Sequence, residues 1–216
     1  MSRKRTAILI SGRGSNMEAL IEAARDPQYP AEIVLVLSNR PEAPGLETAK
    51  KAGIPVIAID HTEFETREDF EKAMQAELEK AKIELVCCAG FMRLMTEWFV
   101  ETWRNKMLNI HPSLLPAYKG FESHTRVLRD GVRITGCTVH YVRVAMDSGP
   151  IISQAAVPIL TNDTTETLSA RVLEAEHIIY PQALALVAKG LVRVAGEEAK
   201  FSGTFKAGPP LISPSM

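Results

Sequence analysis

Asn109 and His111 stand two residues apart, where the apolar pair Met107-Leu108 gives way to a proline-bounded loop, Pro112-Ser113-Leu114-Leu115-Pro116. On an extended backbone that spacing turns both side chains to one face. Pro112 restricts His111 to extended geometry and ends regular strand pairing. A neutral hydrogen-bond donor and a titratable imidazole then sit side by side at a strand's end. Acyl transfer needs such a pair, one group to hold a developing oxyanion and one to move a proton. A lone histidine is also commonly a satisfied core residue, and His111 alone fits that description too. Asp147, in the turn-like segment Met146-Asp147-Ser148-Gly149-Pro150, is a carboxylate that could join the pair or an ordinary Asx-turn residue. His140, in Thr138-Val139-His140-Tyr141, could face the same cleft or the core, and periodicity does not choose.

A second candidate site is Ser11-Gly12-Arg13-Gly14-Ser15-Asn16, between an apolar run and a helical pattern. Glycines allow a tight turn that presents backbone N–H groups, and a helix N-terminus adds partial positive charge, so phosphate would bind there. Ser15 and Asn16 are also good N-cap residues, so a tight turn with a cap and no ligand explains the motif equally. No lysine follows the last glycine, which argues against a Walker A loop. Met17 stands where a dinucleotide fingerprint has its third glycine, and Ser38-Asn39-Arg40 stands where its acidic residue belongs. A monophosphate fits better than NAD.

The elements that must position these groups alternate. Strands are expected at residues 6–10, 33–37, 55–59 and 85–89 and in a run ending at 109; helices at 16–25, 46–52 (closed by Gly53), 66–82 and 96–103, the last with Thr96 as N-cap. Residues 66–82 carry the clearest amphipathic pattern, with Phe70, Ala73, Met74, Leu78 and Ala81 at spacings of three and four. This rhythm predicts an α/β fold with a doubly wound, mostly parallel sheet. Long strand candidates at 134–144 and 151–160 are joined by a short link, which predicts antiparallel strands in the C-terminal part. A helical pattern at 164–189 is expected to be interrupted near Pro181, and 192–205 to form a hairpin. No repeat or linker divides the chain, so residues 1–216 read as one domain, with a disordered tail from about 206.

Composition narrows the class. There are 25 basic and 26 acidic residues, a formal net charge of -1, which gives no basis for a nucleic-acid or membrane surface. No apolar stretch approaches the roughly 20 residues of a bilayer span. Three cysteines, two adjacent (Cys87-Cys88), make no disulfide framework, and a reduced, cytoplasmic protein is expected. The histidines and cysteines show no metal-ligand spacing, so no metal is expected.

Taken in order, Ser11 to Asn16, Ala89-Gly90-Phe91-Met92-Arg93, Asn109 to Pro116, Thr138-Val139-His140, Asp147 to Pro150 and Glu176-His177-Ile178-Ile179-Tyr180-Pro181 resemble the folate-dependent formyltransferase family, and within it the phosphoribosylglycinamide formyltransferase branch. The likeness runs from about Thr6 to Val194. It implies a Rossmann-like formyltransferase fold. It also implies transfer of the formyl group of 10-formyltetrahydrofolate, a co-substrate, to the amine of glycinamide ribonucleotide in purine synthesis. Asn109, His111 and Asp147 would be catalytic: Asn109 and a protonated His111 would stabilise the tetrahedral oxyanion, and Asp147 would keep His111 charged and pass protons through water. A His111 pKa near neutrality would suit that work. His140 would assist near the transferred group. Gly14, Ser15 and Asn16 would cradle the substrate phosphate. Glu176 would bind the ribose hydroxyls, though on sequence alone it could be a solvated helix residue. On the folate side Arg67 would pair with the glutamate tail, and Met92, Arg93, Leu94, Met95, Val100 and Asn109 would line the pteridine cleft, where core packing is the plainer account. The expected partners are these small molecules, with no nucleic acid or membrane, and the assembly is a monomer or homodimer. A tRNA-acting relative is expected to carry a second C-terminal domain, and a formyltetrahydrofolate hydrolase an extra N-terminal one. A non-catalytic nucleotide sensor would bind at Gly14 to Asn16 without turnover.

Overall fold

The computed structural model describes residues 2–204 and 211–214. Seven strands form one sheet in the order β3-β2-β1-β4-β5-β6-β7. The first five, β1 (Lys4–Ile10), β2 (Ala31–Ser38), β3 (Val56–Ala58), β4 (Leu85–Cys88) and β5 (Met107–His111), pair in parallel. β6 (Ile134–Tyr141) and β7 (Ile151–Pro158) complete the sheet antiparallel. The central strands are apolar without alternation because both faces are covered. In β1, Ala7 and Leu9 face one layer, with Phe70, Met74 and Leu78 of α3 (Arg67–Lys80) and Phe99 and Val100 of α4 (Glu97–Thr102). Ile8 and Ile10 face the other layer, with Met17 and Leu20 of α1 (Ser15–Ala24), Leu46 of α2 (Pro44–Lys51) and Leu168, Val172 and Tyr180 of α6 (Thr165–Ala188). Each such fully buried aliphatic or aromatic side chain contributes roughly 1.5–3 kcal/mol.

β2 leaves β1 on one side and β4 joins it on the other, so the chain reverses direction across the sheet between β1 and β4. In open α/β sheets ligands bind at the carboxyl ends of the strands at such a point. Ser11 follows β1 there and Ala89-Gly90 follows β4; the Ser11 N–H donates to the Gly90 carbonyl at 3.2 Å.

The structure changes several sequence expectations. α6 runs without a break through Pro181. The proline removes one helical hydrogen bond, but Ile179, Tyr180, Ala183 and Leu184 are all buried on this turn, and the Tyr29 hydroxyl donates to the Pro181 carbonyl at 2.6 Å. β5 continues past Asn109 to His111, so both motif residues are strand residues and Pro112 is the true terminator. β6 stops at Tyr141, short of residue 144. The N-cap of α1 is Gly14, in the left-handed region at φ 75, and neither Ser15 nor Asn16 caps the helix. Residues 113–135, for which no helix was expected, contain α5 (Ser123–Arg129). The terminal hairpin comprises β8 (Val192–Ala195) and β9 (Glu198–Phe201), while the tail expected from 206 lies mostly outside the described residues. Among the described residues no helix is long and apolar enough to cross a membrane.

Candidate active site

Antiparallel pairing sets Asn109 of β5 directly opposite His140 of β6, and the two side chains face the same way, with Asn109 Nδ2 3.4 Å from His140 Nε2. The turn after β6 then returns Asp147 over the strand ends. Its backbone is left-handed at φ 50, a conformation aspartate tolerates better than most residues. The carboxylate divides between two imidazoles: Oδ2 lies 3.3 Å from His111 Nδ1 and Oδ1 lies 3.6 Å from His140 Nε2. The Gly120 N–H donates to Oδ2 at 2.9 Å. His111 Nε2 meets the Tyr118 carbonyl at 2.9 Å and His140 Nδ1 the Tyr141 carbonyl at 2.9 Å. A carbonyl only accepts, so those two nitrogens carry protons, and each ring turns its other nitrogen to Asp147. The open choice for His140 is thus decided: it faces the cleft.

Burial pushes the His111 pKa below its ordinary value, and the Tyr118 carbonyl and Asp147 carboxylate only partly oppose it. His111 is therefore less readily charged in the free protein than the near-neutral expectation held. Burial also works against the Asp147 charge, but the His140 contact, the Gly120 N–H and the two imidazoles outweigh it and hold the carboxyl below its usual range.

The loop after β5 is pinned to β6 and β7. Thr138 Oγ1 donates to the Ser113 carbonyl at 2.7 Å and accepts from the Leu115 N–H at 3.0 Å and from Gln154 Nε2 at 2.9 Å. Ser113 and Leu115 thus hold the backbone that carries His111, and neither lines a cavity of the site.

Ser11, Gly12, Arg13, Gly14, Ser15 and Asn16 form one wall of a cavity of about 280 Å³, closed by Arg40, Ala89, Gly90 and Met92. Among the described residues the Arg13 and Arg40 guanidinium groups have no hydrogen-bond or ion-pair partner. Arg40 was missed as a site residue; a basic side chain at the carboxyl end of a strand beside β1 was the available signal. Gly45 was also missed. Its N–H donates to the Gly12 carbonyl at 3.1 Å, and a Cβ there would lie 2.9 Å from the Gly12 and Arg13 carbonyls. Asn16 Nδ2 donates to Glu176 Oε2 at 2.7 Å, tying the loop to α6, while Asn16 Oδ1 is buried without a partner. Glu176 is buried, not a solvated helix residue, and burial raises its pKa to about 7 against the Asn16 hydrogen bond.

The larger cavity, about 570 Å³, is lined by Arg67, Met92, Arg93, Leu94, Met95, Val100, Asn109, His111, His140 and Asp147, among others. It brings together every residue named for the folate side with the catalytic group. Arg67 opens α3 at its rim, and Arg93 lies over the Phe70 ring at 5.8 Å with its Nε buried and unpartnered. Buried Glu71 accepts from the Thr96 backbone N–H at 2.8 Å and from its hydroxyl, fixing the start of α4 beside Met95. Gly90 and Met92 line both cavities. His124 and Phe121, also on the wall, carried no signal in the sequence. Among the described residues no cluster of three His, Cys, Asp or Glu is placed to hold a metal ion.

A doubly wound sheet with a glycine-turn cavity at its switch point, and a carboxylate shared by two imidazoles beside an apolar cleft, suits an α/β enzyme of the acyl- or one-carbon-transfer class. The formyl transferase family profile matches residues 4–184, and the chain belongs to that family. It is 37% identical over 196 residues to the phosphoribosylglycinamide formyltransferase of Escherichia coli, covering 91% of this chain and 92% of that protein. It is 52% identical over 200 residues, 93% of this chain, to the trifunctional purine biosynthetic protein adenosine-3 of Gallus gallus, and spans only 20% of that longer protein's length. Glycinamide ribonucleotide transformylase 1 of Symbiobacterium toebii superposes with a TM-score of 0.90 at 41% identity, over 92% of this chain and 94% of its own.

Proposed function

We propose that the chain transfers the formyl group of 10-formyltetrahydrofolate to the amine of glycinamide ribonucleotide. The single observation that carries the reading is the Asp147 carboxylate, 3.3 Å from His111 and 3.6 Å from His140, on the wall of an apolar cleft that shares Gly90 and Met92 with the smaller cavity of the glycine turn. The phosphate would lie against Gly14, Ser15 and Asn16 with Arg13 and Arg40, and the ribose against Glu176. The apolar wall of Phe91, Met95 and Val100 suits a flat heterocycle, and Arg67 at the rim suits its carboxylate tail. The amine nitrogen attacks the formyl carbon, and the carbonyl electron pair moves onto oxygen. The Asn109 carboxamide and a protonated His111 hold that oxyanion, which supplies the negative partner that offsets the burial cost of the imidazolium. Asp147 takes the ammonium proton, directly or through water. The oxyanion's electron pair then re-forms the carbonyl, the carbon–N10 bond breaks with its pair going to N10, and N10 leaves with the proton that Asp147 received.

Mixing the protein with glycinamide ribonucleotide and the formyl folate, and following deformylated folate by absorbance, tests this. Release that requires the amine is the expected result. Release without the amine would identify a hydrolase, and no release in either case would overturn the reading.

A further inference from the structure

One buried hydroxyl joins the two cavities. Ser11 is 7% exposed, ends the β1 crossing and lines the anion cavity. Its Oγ–H donates to Asn39 Oδ1 at 2.6 Å, in the turn after β2. With its only proton committed there, the oxygen accepts the Met92 backbone N–H at 2.8 Å. The Ser11 N–H donates to the Gly90 carbonyl. Gly90 and Met92 form the segment that faces both cavities. Asn39, 2% exposed, is itself held by the His61 ring at 3.2 Å. The Ser11 hydroxyl thus donates to Asn39 and accepts from Met92, which ties the segment at 90–92 to the loop at 11–16.

We propose that Ser11 is a positioning residue that couples the two substrate sites, its hydroxyl setting the distance between the cradle that anchors the phosphorylated amine and the wall that carries the formyl donor. The inference rests on the two-substrate reading above. Amine and formyl carbon come from different molecules, so their approach is governed by how rigidly the two loops are joined, and small misplacements are costly. A ligand that orders one loop also orders the other through Ser11, and each substrate tightens the binding of its partner by the same factor.

The test uses a ternary complex that cannot react: glycinamide ribonucleotide with tetrahydrofolate. Calorimetric titration gives the Kd of the nucleotide alone and with saturating folate. In the wild type the nucleotide binds roughly 5-fold or more tighter in the presence of folate. In Ser11→Ala that ratio falls to about one, a readout that a purely structural loss does not move. If Ser11→Ala does not fold, Asn39→Ala removes the acceptor of the hydroxyl from outside both cavities and is expected to lower the ratio as well. A ratio near one in the wild type, or a wild-type ratio kept in either variant, overturns the proposal. Failure of the wild type to bind either ligand overturns the two-substrate reading and with it this one.

Discussion

His111 Nδ1 and Asp147 Oδ2 lie 3.3 Å apart, although one residue ends a central strand and the other sits in the turn between two antiparallel strands. The contact depends on Asp147 holding φ 50 and on the Gly120 N–H reaching the same carboxylate oxygen from the loop that also supplies the Tyr118 carbonyl to His111. Burial lowers the His111 pKa, and the loop's Tyr118 carbonyl and the Asp147 carboxylate oppose it, so histidine, carboxylate and loop act on one charge.

Asp147→Asn keeps the size and tolerates the left-handed backbone, but removes the charge that favours an imidazolium and, in the proposed mechanism, the acceptor for the amine proton. Turnover is expected to fall by about 10²–10⁴-fold while the Kd for glycinamide ribonucleotide changes little. Steady-state kinetics with calorimetry on the same preparation check this; equal losses in both would assign Asp147 to folding.

Arg40→Ala removes one of the two guanidinium groups that lack a partner among the described residues from the proposed phosphate cavity, without touching the His–Asp–His cluster. A charge-assisted hydrogen bond contributes about 1.5–3 kcal/mol, so KM for the amine substrate is expected to rise roughly 10- to 100-fold at nearly constant kcat. An unchanged KM would place the phosphate elsewhere.

Glu176 couples stability to pH. Its carboxyl is raised from 4.5 to about 7 in the folded chain, so the folded state binds the proton more tightly than the unfolded state. Stability from this group is complete below the unfolded value and is lost as pH rises toward 7. Glu176→Gln removes the loss, and the variant is expected to be more stable than wild type at pH 8 by on the order of 3 kcal/mol, with little gain at pH 4. Urea titrations at the two pH values measure it. The same change is expected to weaken binding of the ribose-bearing substrate.

Gly45→Ala places a Cβ 2.7 Å from Ile10 Cδ1 and 2.9 Å from the Gly12 and Arg13 carbonyls. Two of the three neighbours are backbone of the loop at 11–16, so relief means moving that loop. About 1–3 kcal/mol of stability should be lost. Affinity for inorganic phosphate should fall with it; denaturation and phosphate titration read the two effects separately.

Much of the strand and helix order was legible because local pattern carried it. β1, β2 and β4 are covered on both faces and read as unbroken apolar runs, and Thr66 and Thr96 cap α3 and α4 as their type suggests. α5 was not legible: it is seven residues long, buries only Ser123 and Val127, and starts from Glu122 in the left-handed region. The continuity of α6 through Pro181 was hidden for the opposite reason, since packing on the sheet outweighs a local penalty that the sequence announces.

By itself the sequence determined which chemical groups were present and the local geometry that displays them: a glycine turn opening a helix, and a carboxamide and an imidazole on one face of a proline-stopped strand. These depend on neighbours in the chain, and steric and hydrogen-bond rules act at that range. The tertiary structure alone decided which distant groups meet. Asp147 finds His111 and His140 through the antiparallel register of β5 and β6, Asn16 finds Glu176 because α1 packs beside α6, and Arg40 reaches the cradle because the sheet reverses between β1 and β4. Those meetings are set by the global burial of apolar layers, which no local segment encodes.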